Sequence, residues 1–357
     1  MIINARSPYF ILVNESGQVG SKIEIFLWNK PNSVPATATY TLSKRNLSPS
    51  QTENSYNISS FIREYIDNLS PSESTNMMWC NVRVKRYKET TFGTYGSALD
   101  TIDYIGVNGY TKYLDGYNKT DASTKFVVLA DTSKEIQYTL GTIPSVNIAI
   151  NTTLGDKIEA VYKDLNGRNA VTTVLLAATD STRKDMLKVD LSTSSVKYNC
   201  GNTITLNYYV GATLTTTKVF RVIPVCEPKY TPVVCAFINR YGGWQFLNFF
   251  KAQSNAINVS GSSFKVMPDA IDYDTSRPQS AGFNVNGSQS VILNTGFVKE
   301  NYSDLIQDLL LSETVLLDGK PAECKTTSTN LKTSLMDRNI NYTIQFDYAY
   351  NLINNVI

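Results

Sequence analysis

Hydrophobic positions in this chain recur most often at every second residue. In Lys22-Ile23-Glu24-Ile25-Phe26-Leu27-Trp28, Asn81-Val82-Arg83-Val84-Lys85 and Asn341-Tyr342-Thr343-Ile344-Gln345-Phe346-Asp347-Tyr348, one row of side chains turns to a core and the other to water. That is the pattern of a half-buried strand. Five dipeptides, Asn108-Gly109, Asp115-Gly116, Asn166-Gly167, Asn286-Gly287 and Asp318-Gly319, accept the positive φ of the type I′ turns that join antiparallel strands. A parallel sheet would need crossover helices of about ten or more residues between its strands, and no such series recurs. The pattern therefore predicts a mainly β, antiparallel protein with a few packing helices. One helix is predicted over residues 57–69, where Ile58, Phe61, Ile62, Tyr65, Ile66 and Leu69 fall at steps of three and four and Ser59 or Ser60 is placed to cap the first amides. A second is predicted near 303–311, with Leu305, Ile306, Leu309 and Leu310 in the same spacing.

Turn signals and changes of composition divide the chain into three predicted domains. Residues 1–114 form an N-terminal β-rich domain with one helix, closed by a hairpin through Asn108-Gly109. Residues 115–125, Asp-Gly-Tyr-Asn-Lys-Thr-Asp-Ala-Ser-Thr-Lys, are nearly free of apolar side chains and read as a linker. Over 126–225 six or seven short strands follow one another at turn-separated intervals, the size and strand count of an immunoglobulin-like β-sandwich lacking the Cys-Trp-Cys core of true immunoglobulins. Residues 226–357 combine a strand-turn-strand over 233–250 that bends at Gly242-Gly243, the second helix, a hairpin through Asp318-Gly319 and a last strand, an α+β domain.

Composition narrows the chemistry. Of 357 residues, 18% are charged, below the roughly 25% usual in soluble domains, and Asn, Thr, Ser and 22 Tyr occupy the surface instead. The net charge of +2 supplies no field to draw the molecule onto DNA or an anionic membrane. Histidine is absent, which removes the commonest general base and zinc ligand. No apolar run approaches the roughly 18 residues that cross a bilayer, and the opening Met1-Ile2-Ile3-Asn4-Ala5-Arg6-Ser7-Pro8 lacks a basic segment followed by an apolar one, so neither membrane insertion nor Sec-type export is expected. Cys80, Cys200, Cys226, Cys235 and Cys324 are odd in number and scattered, and read as reduced, mostly buried thiols. The Asn-x-Ser/Thr triplets, eight or more, follow from composition alone.

Catalytic and cofactor motifs are weak or missing. Ser194-Ser195-Val196-Lys197 is an isolated S-x-x-K string without its companion motifs, and Gly319-Lys320 lacks the upstream glycine of a phosphate cradle. Asp269, Asp272 and Asp274 lack the spaced glycine and distal Glu of a calcium loop and read as a solvated loop. No catalytic residue, cofactor or metal is predicted. The basic run Arg83, Lys85, Arg86, Lys88 reads as an edge strand protected by charge, the sharper alternative being a patch for an acidic neighbour or passing DNA.

Two aromatic clusters remain. Tyr95, Tyr104, Tyr110, Tyr113 and Tyr117 crowd the end of the first domain and the start of the linker, and tyrosines bury large area at small entropic cost. The string Phe237-Ile238-Asn239-Arg240-Tyr241-Gly242-Gly243-Trp244-Gln245-Phe246-Leu247-Asn248-Phe249-Phe250 surrounds a tight bend with more aromatic surface than one hairpin covers, either for its own core or for an interface. With the closing Asn341-Tyr342-Thr343-Ile344-Gln345-Phe346-Asp347-Tyr348-Ala349-Tyr350, this string resembles the end of tail and ring proteins of crAss-like and related short-tailed phages of Bacteroidota. Ala5-Arg6-Ser7-Pro8-Tyr9-Phe10, the Glu24-Ile25-Phe26-Leu27-Trp28-Asn29 strand, and Tyr56-Asn57-Ile58-Ser59 leading into Ile62-Arg63-Glu64-Tyr65-Ile66 resemble their beginning. The resemblance covers both ends and leaves the middle sandwich unmatched.

The resemblance implies a non-enzymatic virion protein, present in the host cytoplasm during assembly, that stacks as a ring in the head-to-tail connector or tail. Its expected form is a homo-oligomeric, dodecameric ring against portal, ring or tail neighbours, with DNA passing through the lumen without specific binding. Arg240, Tyr241, Trp244, Tyr110, Tyr113 and Tyr117 are the candidate interface residues. The alternative is a carbohydrate-binding or receptor-binding adhesin in which Trp28, Trp79 or Trp244 stacks on sugar.

Overall fold

A computed structural model describes residues 1–29, 33–48, 50–66, 78–118, 125–131, 135–138, 144–164, 166–168, 171–179, 183–191, 202–225, 229–266, 271, 274–331 and 340–354. The S-x-x-K string, Asp269, Asp272, Cys200, Cys226 and residues 119–124 of the predicted linker lie outside the described residues. The chain is mainly β and divides into two compact units, Met1–Cys226 with Ala236–Leu247, and Glu227–Cys235 with Asn248–Ile357. This differs from a C-terminal domain over 226–357, because the middle of the 233–250 hairpin belongs to the first unit.

The first part contains β1 (Ile2–Asn4), β2 (Phe10–Asn14), β3 (Gly20–Trp28), β4 (Tyr40–Arg45), β5 (Glu53–Asn57), α1 (Ser59–Tyr65), β6 (Trp79–Thr91), β7 (Thr94–Tyr95) and β8 (Asp100–Val107). One sheet has the order β1-β8-β6-β3-β4 with β7 on β6, and β2 and β5 pair separately. The alternation read from sequence selects the core: Ile23, Ile25, Val82 and Val84 are fully buried. Ile58 and Ile62 of the helical turn join them, and at Gly106 an added Cβ would lie 2.5 Å from Ile62 Cγ2, so the glycine lets α1 rest on the sheet.

Three expectations change here. β6 is an interior strand, and the two arginines of its basic run are paired across the sheet: Arg83 Nε lies 2.7 Å from Asp103 Oδ1 and Arg86 Nε 2.8 Å from Asp100 Oδ1, each directly opposite its partner on β8. The alternation of β6 was legible, but the acids that answer it are 20 and 14 residues away in sequence. Ser59 and Ser60 do not cap α1. Ile58 takes the N-cap position, the Ser59 amide donates to Asn57 Oδ1 at 3.2 Å, and the Ser59 hydroxyl donates to the Ser7 carbonyl at 2.5 Å. Nor does Asn108-Gly109 turn a hairpin. β8 ends at Val107, and the chain passes into a 3-10 turn at Tyr113–Asp115.

The middle segment is a β-sandwich of immunoglobulin-like architecture. Its strands are β9 (Phe126–Val128), β10 (Glu135–Tyr138), β11 (Ser145–Thr152), β12 (Asp156–Lys163), β13 (Val171–Leu176), β14 (Arg183–Asp190), β15 (Asn202–Val210) and β16 (Thr213–Pro224). A five-stranded sheet, β10-β16-β15-β12-β13, and a three-stranded sheet, β14-β11-β9, bury Ile148, Ile150, Ile158, Ala160, Leu206, Phe220 and Val222 in one cluster. β10, with no clear alternation of its own, pairs parallel to β16, and every other pair in these two sheets is antiparallel.

One polar knot sits at the end of this core. Asp156 is 2% exposed, and its Oδ2 accepts from the Thr153 amide at 2.8 Å, the Thr153 hydroxyl at 3.1 Å, the Tyr208 hydroxyl at 2.9 Å and Lys125 Nζ at 3.3 Å. Burial alone would raise the Asp156 carboxyl, but these donors together hold it below its ordinary value, while burial and the carboxylate push the Tyr208 hydroxyl up.

The last segment contains β17 (Val233–Ile238), β18 (Trp244–Phe249), β19 (Ser254–Lys265), β20 (Ser280–Asn294), α2 (Tyr302–Leu310), β21 (Val315–Leu317), β22 (Lys320–Cys324) and β23 (Thr343–Asn351). They form a sheet of order β18-β17-β21-β22-β23-β20-β19. In the second unit, α2 buries Tyr302, Leu305, Ile306 and Leu309, and Phe249 meets Phe346 edge to face at 5.7 Å. Asp318-Gly319 is the two-residue turn predicted, with φ of 47° and 77°. Asn286-Gly287 instead lies inside β20, where Gly287 passes close to Leu352 and Ile257. In Asn166-Gly167 only the glycine has positive φ, and Asp164 Oδ1 accepts the Asn166 amide at 3.0 Å.

Asp156→Asn is expected to destabilise the chain by about 1–3 kcal/mol at neutral pH, because an amide cannot accept all four donors. A carboxyl lowered in the native state stabilises fully above its unfolded pKa of about 4 and progressively less as pH falls through the native value. Urea unfolding of wild type and variant should therefore converge as pH drops from about 5 towards 2.

Candidate interaction surface

The bend between β17 and β18 is built around Asn239. Its Nδ2 donates to the Leu129 carbonyl at 2.9 Å, while its Oδ1 accepts the amides of Tyr241 and Gly243 at 3.0 and 3.1 Å. The Trp244 amide donates to Asn147 Oδ1 at 3.0 Å, and the Arg240 carbonyl accepts the Tyr110 amide at 2.8 Å. These bonds tie the bend to the end of β9, to β11 and to the segment after β8. The glycines are required by close approach: a Cβ at Gly243 would stand 2.3 Å from the Leu129 carbonyl oxygen, and one at Gly242, with φ of 79°, would stand 2.8 Å from Val107 Cβ.

The six candidate residues separate accordingly. Trp244 is 4% exposed, turned inward where its amide is held on β11, and the core reading of that aromatic applies. Arg240 and Tyr241 are half-buried and mutually engaged, with Arg240 Nη2 2.6 Å from the Tyr241 hydroxyl and the guanidinium 4.8 Å above its ring. Tyr110 is half-buried under the Arg6 guanidinium at 5.1 Å. Tyr113 and Tyr117 are 97% and 65% exposed, and Leu114, which the sequence reading passed over, is 94% exposed.

The turn that displays Tyr113 and Leu114 is anchored at both ends. On one side the Arg6 amide donates to the Gly109 carbonyl at 3.0 Å and the Thr111 amide to the Ser7 hydroxyl at 2.7 Å. On the other, Asn118 clamps Phe10 like a strand partner, with Oδ1 accepting the Phe10 amide at 2.6 Å and Nδ2 donating to the Phe10 carbonyl at 2.8 Å, while Tyr117 meets the Phe10 ring edge to face at 5.8 Å. Between them the Lys112 amide donates to Asp115 Oδ2 at 3.2 Å. Little conformational freedom remains to be lost when the apolar tip is covered. Two adjacent residues almost wholly in solvent on a fixed turn can bury apolar area against a partner.

Other candidate chemistry is weak. Burial pushes the Cys80 thiol up to about 12 and that of Cys235 well above the ordinary range, so neither is a ready thiolate. Among the described residues no three His, Cys, Asp or Glu side chains are grouped to hold a metal ion. Asp274 is engaged by its own turn, accepting the Ser276 amide and hydroxyl at 2.9 and 2.7 Å. Trp79 is fully buried, and Trp28 is half-buried with the Arg83 guanidinium 5.9 Å from its ring. No helix among the described residues is long and apolar enough to cross a membrane.

These features define a mainly β protein with an immunoglobulin-like sandwich and a displayed apolar turn. No protein-family model matches the chain, and no curated protein matches it. The solved structure of the chicken CNTN1 FN1-FN3 domains is similar at 6% identity with a TM-score of 0.19, over 80% of this chain and 89% of that one. At that TM-score the fold assignment rests on the sheets and cores of this chain itself.

Gly243→Ala forces either the bend or Leu129 to move, and is expected to lower stability by about 1–3 kcal/mol. The conservative control Gly96→Ala meets no atom within 4 Å and has no positive φ to strain, so it should cost less in the same urea titration.

Proposed function

We propose that this chain is a non-enzymatic virion structural protein that assembles into a ring of a phage head-to-tail connector or tail. The observation that carries the self-assembly reading is the anchored turn with Tyr113 and Leu114 97% and 94% exposed. A ring needs two different patches on each subunit, related by a rotation that closes. A rigid apolar projection serves as one of them, because covering it costs little ordering entropy. The scarcity of charge supports the same reading, since few ions lose their water when flanks of neighbouring copies meet. The resemblance of both chain ends to crAss-like phage ring and tail proteins supplies the biological setting: portal, ring or tail neighbours, twelvefold symmetry, and DNA passing through the lumen unbound. The adhesin alternative sets Trp28, Trp79 or Trp244 against sugar, and of these Trp79 and Trp244 are buried and Trp28 half-buried.

Negative-stain images of the purified chain are expected to show closed rings, and light scattering a mass several times 39.7 kDa that falls on dilution. A 39.7 kDa monomer at every concentration would overturn the proposal. Tyr113→Ser combined with Leu114→Ser, which leaves the cores untouched, should raise the concentration for half-assembly roughly tenfold or more.

A further inference from the structure

The ribbon formed by β19 and β20 stands apart from the rest of the second unit in exposure and charge. Its strands pair from Ser254 opposite Ile292 to Lys265 opposite Ser280, whereas β23 supports β20 only from Ser288 to Asn294. Every residue of β19 is exposed, including Ile257, Val259 and Phe264 at 62%, 68% and 52%, and Phe283 and Val285 of β20 are 44% and 49% exposed. A two-stranded ribbon cannot bury such side chains within itself. β19 also ends its sheet, so its outer amides and carbonyls face no strand among the described residues.

Soluble proteins usually protect such an edge with charge. The edge strand β4 carries Lys44 and Arg45, and β14 carries Lys188 and Asp190. In contrast, the twelve residues of β19 and fifteen of β20 hold a single charged side chain, Lys265, at the far end. A register shift between Ser260 and Ser262 bends the ribbon without covering Ile257, Val259 or Phe264.

We infer that this ribbon is an assembly arm whose β19 edge adds as a strand to the open edge of β13 in a second copy of the chain; the inference rests on the ring reading and names one of its contacts. β13 ends the five-stranded sheet, holds no charged residue, and leaves Val174 51% exposed. One chain thus owns a donor edge charged only at its far end, Lys265, and an uncharged acceptor edge. Because the two edges differ, their union is head to tail, the geometry that closes a ring. Main-chain hydrogen bonds supply the affinity of such strand addition, and Ile257, Val259 and Val174 supply apolar cover. The lengths are compatible. β13 offers six residues, roughly 20 Å of strand, and the twelve of β19, roughly 40 Å, can cover it end to end.

The test compares the wild-type chain with Ile257→Lys/Val259→Lys, whose substitutions point into solvent. At a concentration where wild type is assembled, the variant is expected to run as a folded 39.7 kDa monomer by light scattering, with an unchanged circular dichroism spectrum. Bismaleimide treatment of Val174→Cys/Val259→Cys should yield a ladder of covalent multimers beyond the background that the chain's own five cysteines give in wild type and in each single variant. Should the lysine variant misfold, hydrogen exchange on the unaltered chain decides: β13 and β19 amides should slow together on assembly. Wild type assembled, with the lysine variant equally assembled or β19 exchange unchanged, overturns the arm and leaves the ring reading standing. A wild-type chain that never assembles overturns both.

Discussion

The first unit depends on how closely backbone meets backbone at the bend between β17 and β18. No side chain larger than hydrogen fits at Gly243, because the Leu129 carbonyl oxygen occupies the space, and Gly242 is equally confined by Val107. Within that approach Asn239 answers three backbone groups, one of them from the sandwich, and Tyr110 hangs its amide on the Arg240 carbonyl. Buried backbone polar groups must be paired, so once the bend is seated the segment after β8 has few alternatives. The exposed turn at Tyr113 takes one end of its position from this seating through Tyr110, while Asn118 fixes the other end on Phe10 of β2.

Charge is distributed with the same economy. Where β6 carries a run of cations, β8 supplies Asp100 and Asp103 in register, and the sheet keeps them as cross-strand pairs. At Asp156, where an ionised group enters the sandwich core, four donors surround it. The ribbon of β19 and β20 has no charge but Lys265 at its far end, yet it is the most exposed strand pair described. A protein proposed to work by fitting against its own copies would lose affinity by desolvating ions at such an edge.

Much of the architecture was legible because strand alternation is a local property. Ile23, Ile25, Val82, Val84, Ile344 and Phe346 alternate in sequence and are buried in the fold, and the strands of the sandwich were visible one by one except β10. Turn chemistry was less reliable. Of the five candidate dipeptides, Asp318-Gly319 alone adopts positive φ at both residues. There β21 and β22 are short and adjacent, and Asp318 is further held by Val234, whose amide it accepts at 2.9 Å. Asn286-Gly287 has the same chemistry but is paired with Ser260 and Val259 of β19, and Asn286 Oδ1 accepts the Ile353 amide at 3.0 Å, so pairing across the ribbon outweighs the preference of the dipeptide.

The chain's own order of residues decided that the protein is mainly β, where most strands and both helices fall, and which side chains face inward, because each of these follows from side-chain spacing along a single element. Tertiary structure alone decided that β6 is an interior strand, that Trp244 belongs to the core while Leu114 stands in water, and that the uncharged stretch after Ser254 becomes an open ribbon. The physical reason is common to all three. Whether a side chain or a strand edge is covered depends on partners tens to hundreds of residues away, such as Asn147 for Trp244 and Ser7 for Thr111, and local spacing carries no record of them.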